Sequence, residues 1–209
     1  MQLHIKNMVC DRCILIVKQQ LDHLGFSVDA ISLGKVLVSP DPEPLKLREI
    51  SSALQVLGFE LIDKEKNQLI EQIKTQVIEI VHYSDLSAIQ ESLMNIIARN
   101  LDRDYVYLSR LFSDVEGITI EKYIIQQKVE KIKELLEYAE LNLNEIAYQM
   151  GYSSSAHLST QFKAVTGMPP SKYKSQQPGD RKPLDRVSSA KAYTTQSKLR
   201  RVSPCAQAD

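Results

Sequence analysis

Two cysteines stand two residues apart near the start of the chain, in the run Met8-Val9-Cys10-Asp11-Arg12-Cys13. A two-residue spacer where a strand gives way to a helix lets both sulfurs face one point. The unpaired N–H groups and positive end of that helix lower thiol pKa values, and Arg12 adds positive charge beside them. Two thiolates so placed suit a soft metal ion, with Cu(I) the leading candidate because it accepts two-coordinate sulfur ligation. Residue types alone leave three other readings open: half of a zinc site, a redox dithiol, or two small buried side chains with no chemistry. The remaining cysteine, Cys205, reads as a bystander.

A second set of chemistry-bearing residues lies on two helix-turn-helix patterns. In the first, Ser92–Leu101 forms a short helix, Asp102-Arg103-Asp104 turns the chain, and a second helix starts at Tyr105 and ends at Gly117. In the second, Leu143–Met150 is followed by Gly151-Tyr152-Ser153-Ser154-Ser155 and by a helix running from Ala156 to Gly167. The two units form a degenerate repeat offset by 50 residues, with Leu108-Ser109-Arg110-Leu111-Phe112 matching Leu158-Ser159-Thr160-Gln161-Phe162. Leu108 with Phe112, and Leu158 with Phe162, are spaced i and i+4 and would anchor each helix to a small core. The opposite faces then carry Val106, Ser109 and Arg110 in one unit and Ser155, Ala156, His157, Ser159 and Thr160 in the other. Small polar and methyl-bearing groups with an occasional Arg suit a helix in a DNA major groove, where hydrogen bonds and methyl contacts discriminate base pairs. Pattern alone equally allows an all-α bundle with a solvated face.

The elements that must position these residues differ between the two halves. Residues 1–63 alternate short patterns. Gln2–Lys6 has the period of a half-buried strand, and Ile14, Ile16, Val17, Leu21 and Leu24 form a helical stripe stopped by Gly25. Phe26–Leu33 and Val36–Val38 flank Gly34-Lys35 as a hairpin. A helix is expected from Leu45 to Leu57 and a last strand over Phe59–Ile62. The order βαββαβ predicts an α+β, ferredoxin-like domain. Residues 64–83 form a connecting amphipathic helix, from about Lys66 to His82, with Ile70, Ile73, Val77 and Ile80 on one seam. That seam reads as a core-facing stripe of the next domain in preference to a short coiled coil. An all-α domain over 84–175 follows, its two helix-turn-helix units joined by a long helix from Ile120 to about Tyr138. Residues 176–209 read as a disordered polar tail, mildly basic and without apolar period.

Composition bounds the function. The chain has 209 residues, 43% hydrophobic and 25% charged, ordinary for a globular protein. No apolar run approaches ~18 residues, so a membrane span is not expected. The start, Met1-Gln2-Leu3-His4-Ile5-Lys6, lacks a signal-peptide core, and three cysteines make an unlikely disulfide framework. Cytoplasmic location is the expectation. Lys and Arg (26) balance Asp and Glu (26), so charge gives no nucleic-acid footprint. No nucleophile–base pair, phosphate loop or paired-carboxylate constellation is present, and the cysteine pair lacks a thioredoxin-like setting. A dithiol oxidoreductase is therefore the remote alternative, and the chain is read as no enzyme.

Two resemblances sharpen this. Residues 2–62 resemble the heavy-metal-associated domain of copper chaperones and metal-transport ATPases, through Met8-x-Cys10-x-x-Cys13, the helix behind it, the hairpin at Gly34 and the late Gly58-Phe59. The resemblance implies Cys10 and Cys13 as ligands for Cu(I) or another soft metal, with Met8 packed under the loop and Phe59 beside the metal. Asn7 stands where that family usually has Gly, and Asp11-Arg12 replaces small or polar residues. Residues 86–174 are similar to the AraC-type DNA-binding domain of bacterial transcription regulators, through Glu145-Ile146-Ala147, Gly151-Tyr152, Phe162-Lys163, Thr166-Gly167, Pro170 and Tyr173; Lys128 stands at a usual Arg. This implies contacts to promoter or operator double-stranded DNA from Val106, Ser109, Arg110, Ser155, Ala156, His157, Ser159, Thr160 and Lys163. Together they describe a regulator in which the thiol domain controls the DNA reader. A metal-free redox-sensing or dimerisation module is the alternative for the first domain, and a homodimer is left open.

Overall fold

A computed structural model of the chain describes residues 1–62, 65–175 and 181–187. The first unit runs β1 (Gln2–Lys6), α1 (Asp11–His23), β2 (Ser27–Ser32), β3 (Lys35–Ser39), α2 (Pro44–Val56) and β4 (Glu60–Leu61). Its sheet has the strand order β2-β3-β1-β4, with every neighbouring pair antiparallel. Alternation decides which face is buried. Leu3 and Ile5 of β1 and Val36 and Val38 of β3 point into one core with Val17 and Leu21 of α1 and Ile50 and Leu54 of α2. Ile16, which the helical stripe placed with them, is exposed. It immediately precedes Val17, and that single step turns it about 100° around the helix, away from the buried face. The last strand is shorter than expected, Glu60–Leu61, although the Ile62 N–H still donates to the His4 carbonyl of β1 at 2.9 Å.

The second unit contains α3 (Glu65–Tyr83), α4 (Leu93–Asn100), α5 (Tyr105–Glu116), α6 (Ile120–Tyr138), α7 (Leu143–Gln149), α8 (Ser155–Thr166) and α9 (Pro170–Ser175), with a 3₁₀ turn at Leu86–Ala88. Helix α3 belongs to this unit's core and not to a coiled coil: Ile70, Ile73, Val77 and Val81 pack with Leu108, Phe112, Ile132 and Ile146. The seam thus runs through Val81, and Ile80 is only partly buried at its edge. The cores of the two units are separate apolar clusters. Between them the boundary is polar. Helix α3 lines a cleft against the sheet with His4, Gly34 and Lys35 on one side and Gln72, Thr75 and Glu79 on the other, and Gln68 donates to the Ile62 carbonyl.

Local chemistry explains the helix ends. Asp104, Thr119, Asn142 and Ser154 cap α5, α6, α7 and α8 with side-chain oxygens that accept a backbone N–H. Asn142 and Glu145 complete a reciprocal capping box. Gly117 and Gly167 end α5 and α8 in the left-handed region, where a Cβ is costly.

Composition misread part of the tail. Residues 181–187 lie along α6: Arg181 pairs with Glu134 and Glu137, the Lys182 N–H donates to Glu130, and the Leu184 carbonyl accepts from Gln127. Val187 is buried. Long-range bonds to charged and buried partners hold a segment whose own sequence has no apolar period. Residues 176–180 and 188–209, the rest of the predicted tail with Cys205, lie outside the described residues.

Candidate nucleic-acid interface and the thiol loop

The repeat is carried into three dimensions. Leu108, Phe112, Leu158 and Phe162 are all fully buried. Phe112 lies 5.6 Å from Tyr123 and Phe162 lies 5.6 Å from Tyr173, ring to ring. Tyr173 follows Tyr123 by the same 50 residues that separate the two recognition helices, the N-caps Asp104 and Ser154, and the closing glycines. Each second helix is thus fixed by the same internal contacts, and its outer face is left for a ligand.

On α5 that face shows Val106 and Arg110 exposed and Ser109 half-buried. On α8, Ala156, His157, Thr160 and Lys163 are exposed, and Ser155 and Ser159 are half-buried. The structure therefore brings the sequence-derived residues onto two like surfaces. Their side chains are not equally available. Thr160 is exposed but donates its hydroxyl to the Ala156 carbonyl, one turn back. His157 places Nδ1 3.2 Å from the Ser153 hydroxyl and its ring edge-on to Tyr152 at 5.3 Å. Arg110 and Lys163 form no ion pair among the described residues.

The ion pairs explain why net charge was uninformative. Glu71 and Glu116 hold Lys74, Glu130 holds Lys133, and Glu134 holds Lys131 and Arg181. Most of these acids lie on α3 and α6, and Glu116, at the end of α5, is turned to Lys74 of α3. Net charge also leaves out the positive ends of α5 and α8.

Sequence reasoning passed over Tyr107. It stands 50 residues before His157, on the first turn of α5, and is 47% exposed, directly after exposed Tyr105 and Val106. The repeat offset was the signal that could have found it. Lys128, noted in the sequence only as standing at a usual Arg, was given no role. From α6 the Lys128 ammonium donates to the Met150 carbonyl at 3.0 Å and lies 5.1 Å over the Tyr152 ring. Tyr152 in turn donates to Gln161 of α8 at 2.5 Å. Burial pushes the Lys128 amine below its ordinary pKa and the Tyr152 phenol up to about 12.

The thiol loop is built from the other unit. Cys10 caps α1 and Cys13 lies in its first turn, with sulfurs 3.4 Å apart. Met8 is buried beneath them, and Phe59 is buried in the same core. Asn7 has φ +72, the left-handed region that a glycine enters freely and that Asn tolerates better than most residues. Its side chain donates to the Gly58 carbonyl at 2.9 Å and ties the loop to the turn before Phe59. Burial pushes the Cys10 thiol up, but hydrogen bonds from Cys13 and Arg12 and the Arg12 charge outweigh it and hold Cys10 below the ordinary thiol range. Cys13 is held above that range by burial and by Cys10. Cys10 is therefore the first to ionise. Among the described residues no group of three or more His, Cys, Asp or Glu side chains could hold a metal ion. The pair offers two sulfurs alone, short of the four ligands of a structural zinc.

The family match falls in the helical half. Residues 97–176 match the family described as a helix-turn-helix domain. Over 111 residues the chain is 31% identical to the Msm operon regulatory protein of Streptococcus mutans, covering 53% of this chain and 39% of that one. Over 165 residues it is 24% identical to the probable transcriptional regulator LumQ of Photobacterium leiognathi, covering 74% and 64%. Among solved structures, the C-terminal domain of AraT, a response regulator from Geobacillus stearothermophilus, is similar with TM-score 0.46 and 24% identity, over 57% of this chain and 94% of that one. The chain spans less than two thirds of either curated relative's length. Residues 97–176 thus carry a helix-turn-helix domain, and these curated relatives are named as regulatory proteins. No helix among the described residues is long and apolar enough to cross a membrane.

Proposed function

We propose that the chain is a sequence-specific transcription regulator, with a ferredoxin-like first unit of the heavy-metal-associated kind that responds to Cu(I) or a similar soft ion through Cys10 and Cys13. The observation that carries the proposal is the joining of two sites in one chain. A helix-turn-helix domain with two exposed, repeat-related helix faces is connected by α3 to a loop that holds two adjacent thiols over a buried methionine. The strand order and the βαββαβ succession support the ferredoxin-like reading. Two sulfurs with no third His, Cys, Asp or Glu grouped with them among the described residues favour an ion content with two-coordinate sulfur ligation.

On this reading Val106, Ser109 and Arg110 of α5 and Ser155, Ala156, His157, Ser159, Thr160 and Lys163 of α8 face successive stretches of one DNA groove. Arg110 supplies a donor fork for guanine or phosphate, and the Ala156 and Thr160 methyls suit thymine. Cys10 and Cys13 hold the ion, Met8 and Phe59 support the loop, and the cell interior is the compartment. The 3.4 Å sulfur separation also favours a second reading, in which the pair closes to a disulfide and senses oxidants.

Two measurements test the proposal. Duplex selection from a random library with the full chain should converge on a sequence, and failure to converge removes sequence-specific reading. Anaerobic Cu(I) titration against a tight chelator should show one ion bound, lost in Cys10→Ser/Cys13→Ser. Absence of cysteine-dependent binding, with reversible disulfide formation that alters DNA affinity, would establish the redox reading instead. Light scattering of the DNA complex decides whether one copy or a homodimer binds.

A further inference from the structure

The two units have separate apolar cores and a polar boundary, so few individual bonds decide how they communicate. One of them ends in the thiol loop. Tyr83, the last residue of α3, donates its hydroxyl to the Val9 carbonyl at 2.9 Å, across 74 residues of sequence. Val9 is the residue before Cys10, and the carbonyl that Tyr83 holds belongs to the peptide unit that carries the Cys10 N–H. The residue next to Tyr83 reaches the other way. His82 Nε2 lies 2.9 Å from Gln127 Oε1 of α6. Gln127 is fully buried, and its amide donates to the Tyr123 hydroxyl and to the Leu184 carbonyl. The final turn of α3 is thus held on one side by the thiol loop and on the other by the helix that joins the two helix-turn-helix units.

We infer that Tyr83 is the positioning residue that transmits the state of the Cys10–Cys13 pair to α3 and α6. The inference deepens the reading proposed above and rests on it for the identity of the ligand, though not for the contact itself. A group bound at the sulfurs shifts Cys10 and with it the Val9–Cys10 peptide, and a displaced Val9 carbonyl loses or strengthens its bond to Tyr83. Because Tyr83 is 57% exposed and lies outside both cores, the bond can break without unfolding either unit. A neutral hydrogen bond of ordinary net strength corresponds to a factor of about 5 in an equilibrium. That is the size of the change in DNA affinity to expect.

The test uses the full chain with Cys205→Ser and two probes, Cu(I) and iodoacetamide, whose alkylation of the thiols needs no metal site. Amide hydrogen exchange over 79–84 and 123–130 reports α3 and α6, and binding to a duplex selected by the chain reports the reader. Either probe should change exchange in both segments and shift DNA affinity by about 5-fold, and in Tyr83→Phe those changes should vanish although the thiols still react. A response in Tyr83→Phe equal to the native one would overturn the inference, as would thiol alkylation that leaves α3 unmoved. If Cu(I) fails to bind while alkylation still moves α3 in a Tyr83-dependent way, metal sensing falls and the coupling stands.

Discussion

Replacing Lys128 by Met removes an ammonium from the joint between α6 and the second helix-turn-helix unit while keeping the aliphatic stem. Two interactions go. The charged hydrogen bond to the Met150 carbonyl, at 3.0 Å, is of a class whose loss costs about 1.5–3 kcal/mol. The cation over the Tyr152 ring at 5.1 Å adds roughly 0.5–1 kcal/mol. Burial penalises the charge, as the lowered Lys128 pKa shows, and relief of that penalty offsets part of the loss. A net destabilisation of about 2 kcal/mol follows. For a helical unit of this size it lowers the melting temperature by roughly 8 °C. Calorimetry of Lys128→Met measures it directly, and a urea midpoint shift without a change in slope checks that the denatured state is unaltered. Tyr152 bonds Gln161, so α8 is also less firmly aimed and DNA affinity should fall. Lys128→Arg keeps a donor and a charge and should recover much of both losses. A loss under about 0.5 kcal/mol in Lys128→Met, or equal losses in the Met and Arg variants, would refute this account.

Gly151 has φ +67, and a Cβ there would lie 3.2 Å from the Leu86 carbonyl; Gly151→Ala should cost about 1–2 kcal/mol in urea denaturation. Burial holds His82 below its ordinary pKa, with the Lys131 and Arg181 charges in the same direction and the Gln127 bond and Glu134 opposing. The folded state then binds fewer protons than the unfolded one just below the ordinary value of 6.5. Stability should therefore be constant above that pH, fall as pH drops through it, and lose this slope in His82→Gln. Arg110→Ala should weaken DNA binding by about 1–3 kcal/mol and relax the preference at one base pair if the guanidinium reads a base, or weaken all duplexes alike and lower the salt slope by about 1 if it meets a phosphate; unchanged binding would remove Arg110 from the interface.

What was legible in the sequence is what is encoded locally. The caps Asp104 and Ser154, the closing Gly117 and Gly167, and the i, i+4 pairs Leu108/Phe112 and Leu158/Phe162 each act within one or two turns, and the helix boundaries follow them closely. The element succession of the first unit was legible for the same reason, through period and turn residues. Asn7 looked like a departure from a glycine position, but its φ of +72 and its bond to Gly58 make it a working substitute. The misses are all non-local. Ile16 and Val81 turn on which side of a helix meets its neighbour, and no stripe drawn on one helix specifies that within a single residue step. Segment 181–187 has polar composition because its partners, Glu130, Glu134 and Gln127, are polar and lie 47 to 57 residues earlier.

The same distinction bears on how the two sites could become one device. Each is built from short-range chemistry and is recognisable by itself, whereas the contacts that connect them are single bonds between residues far apart in sequence. Tyr83 and Val9 are 74 residues apart, and His82 and Gln127 are 45. Neither pair is marked by any motif. A polar boundary between two complete cores leaves the relative stability of docked and undocked arrangements to a few hydrogen bonds, each shifting an equilibrium by roughly 2- to 12-fold. Allosteric couplings typically amount to 5- to 150-fold, about 1–3 kcal/mol, so one or two such bonds suffice without any rearrangement of either core. An apolar interface of ordinary size would instead lock the units together against a perturbation as small as one ion at two sulfurs.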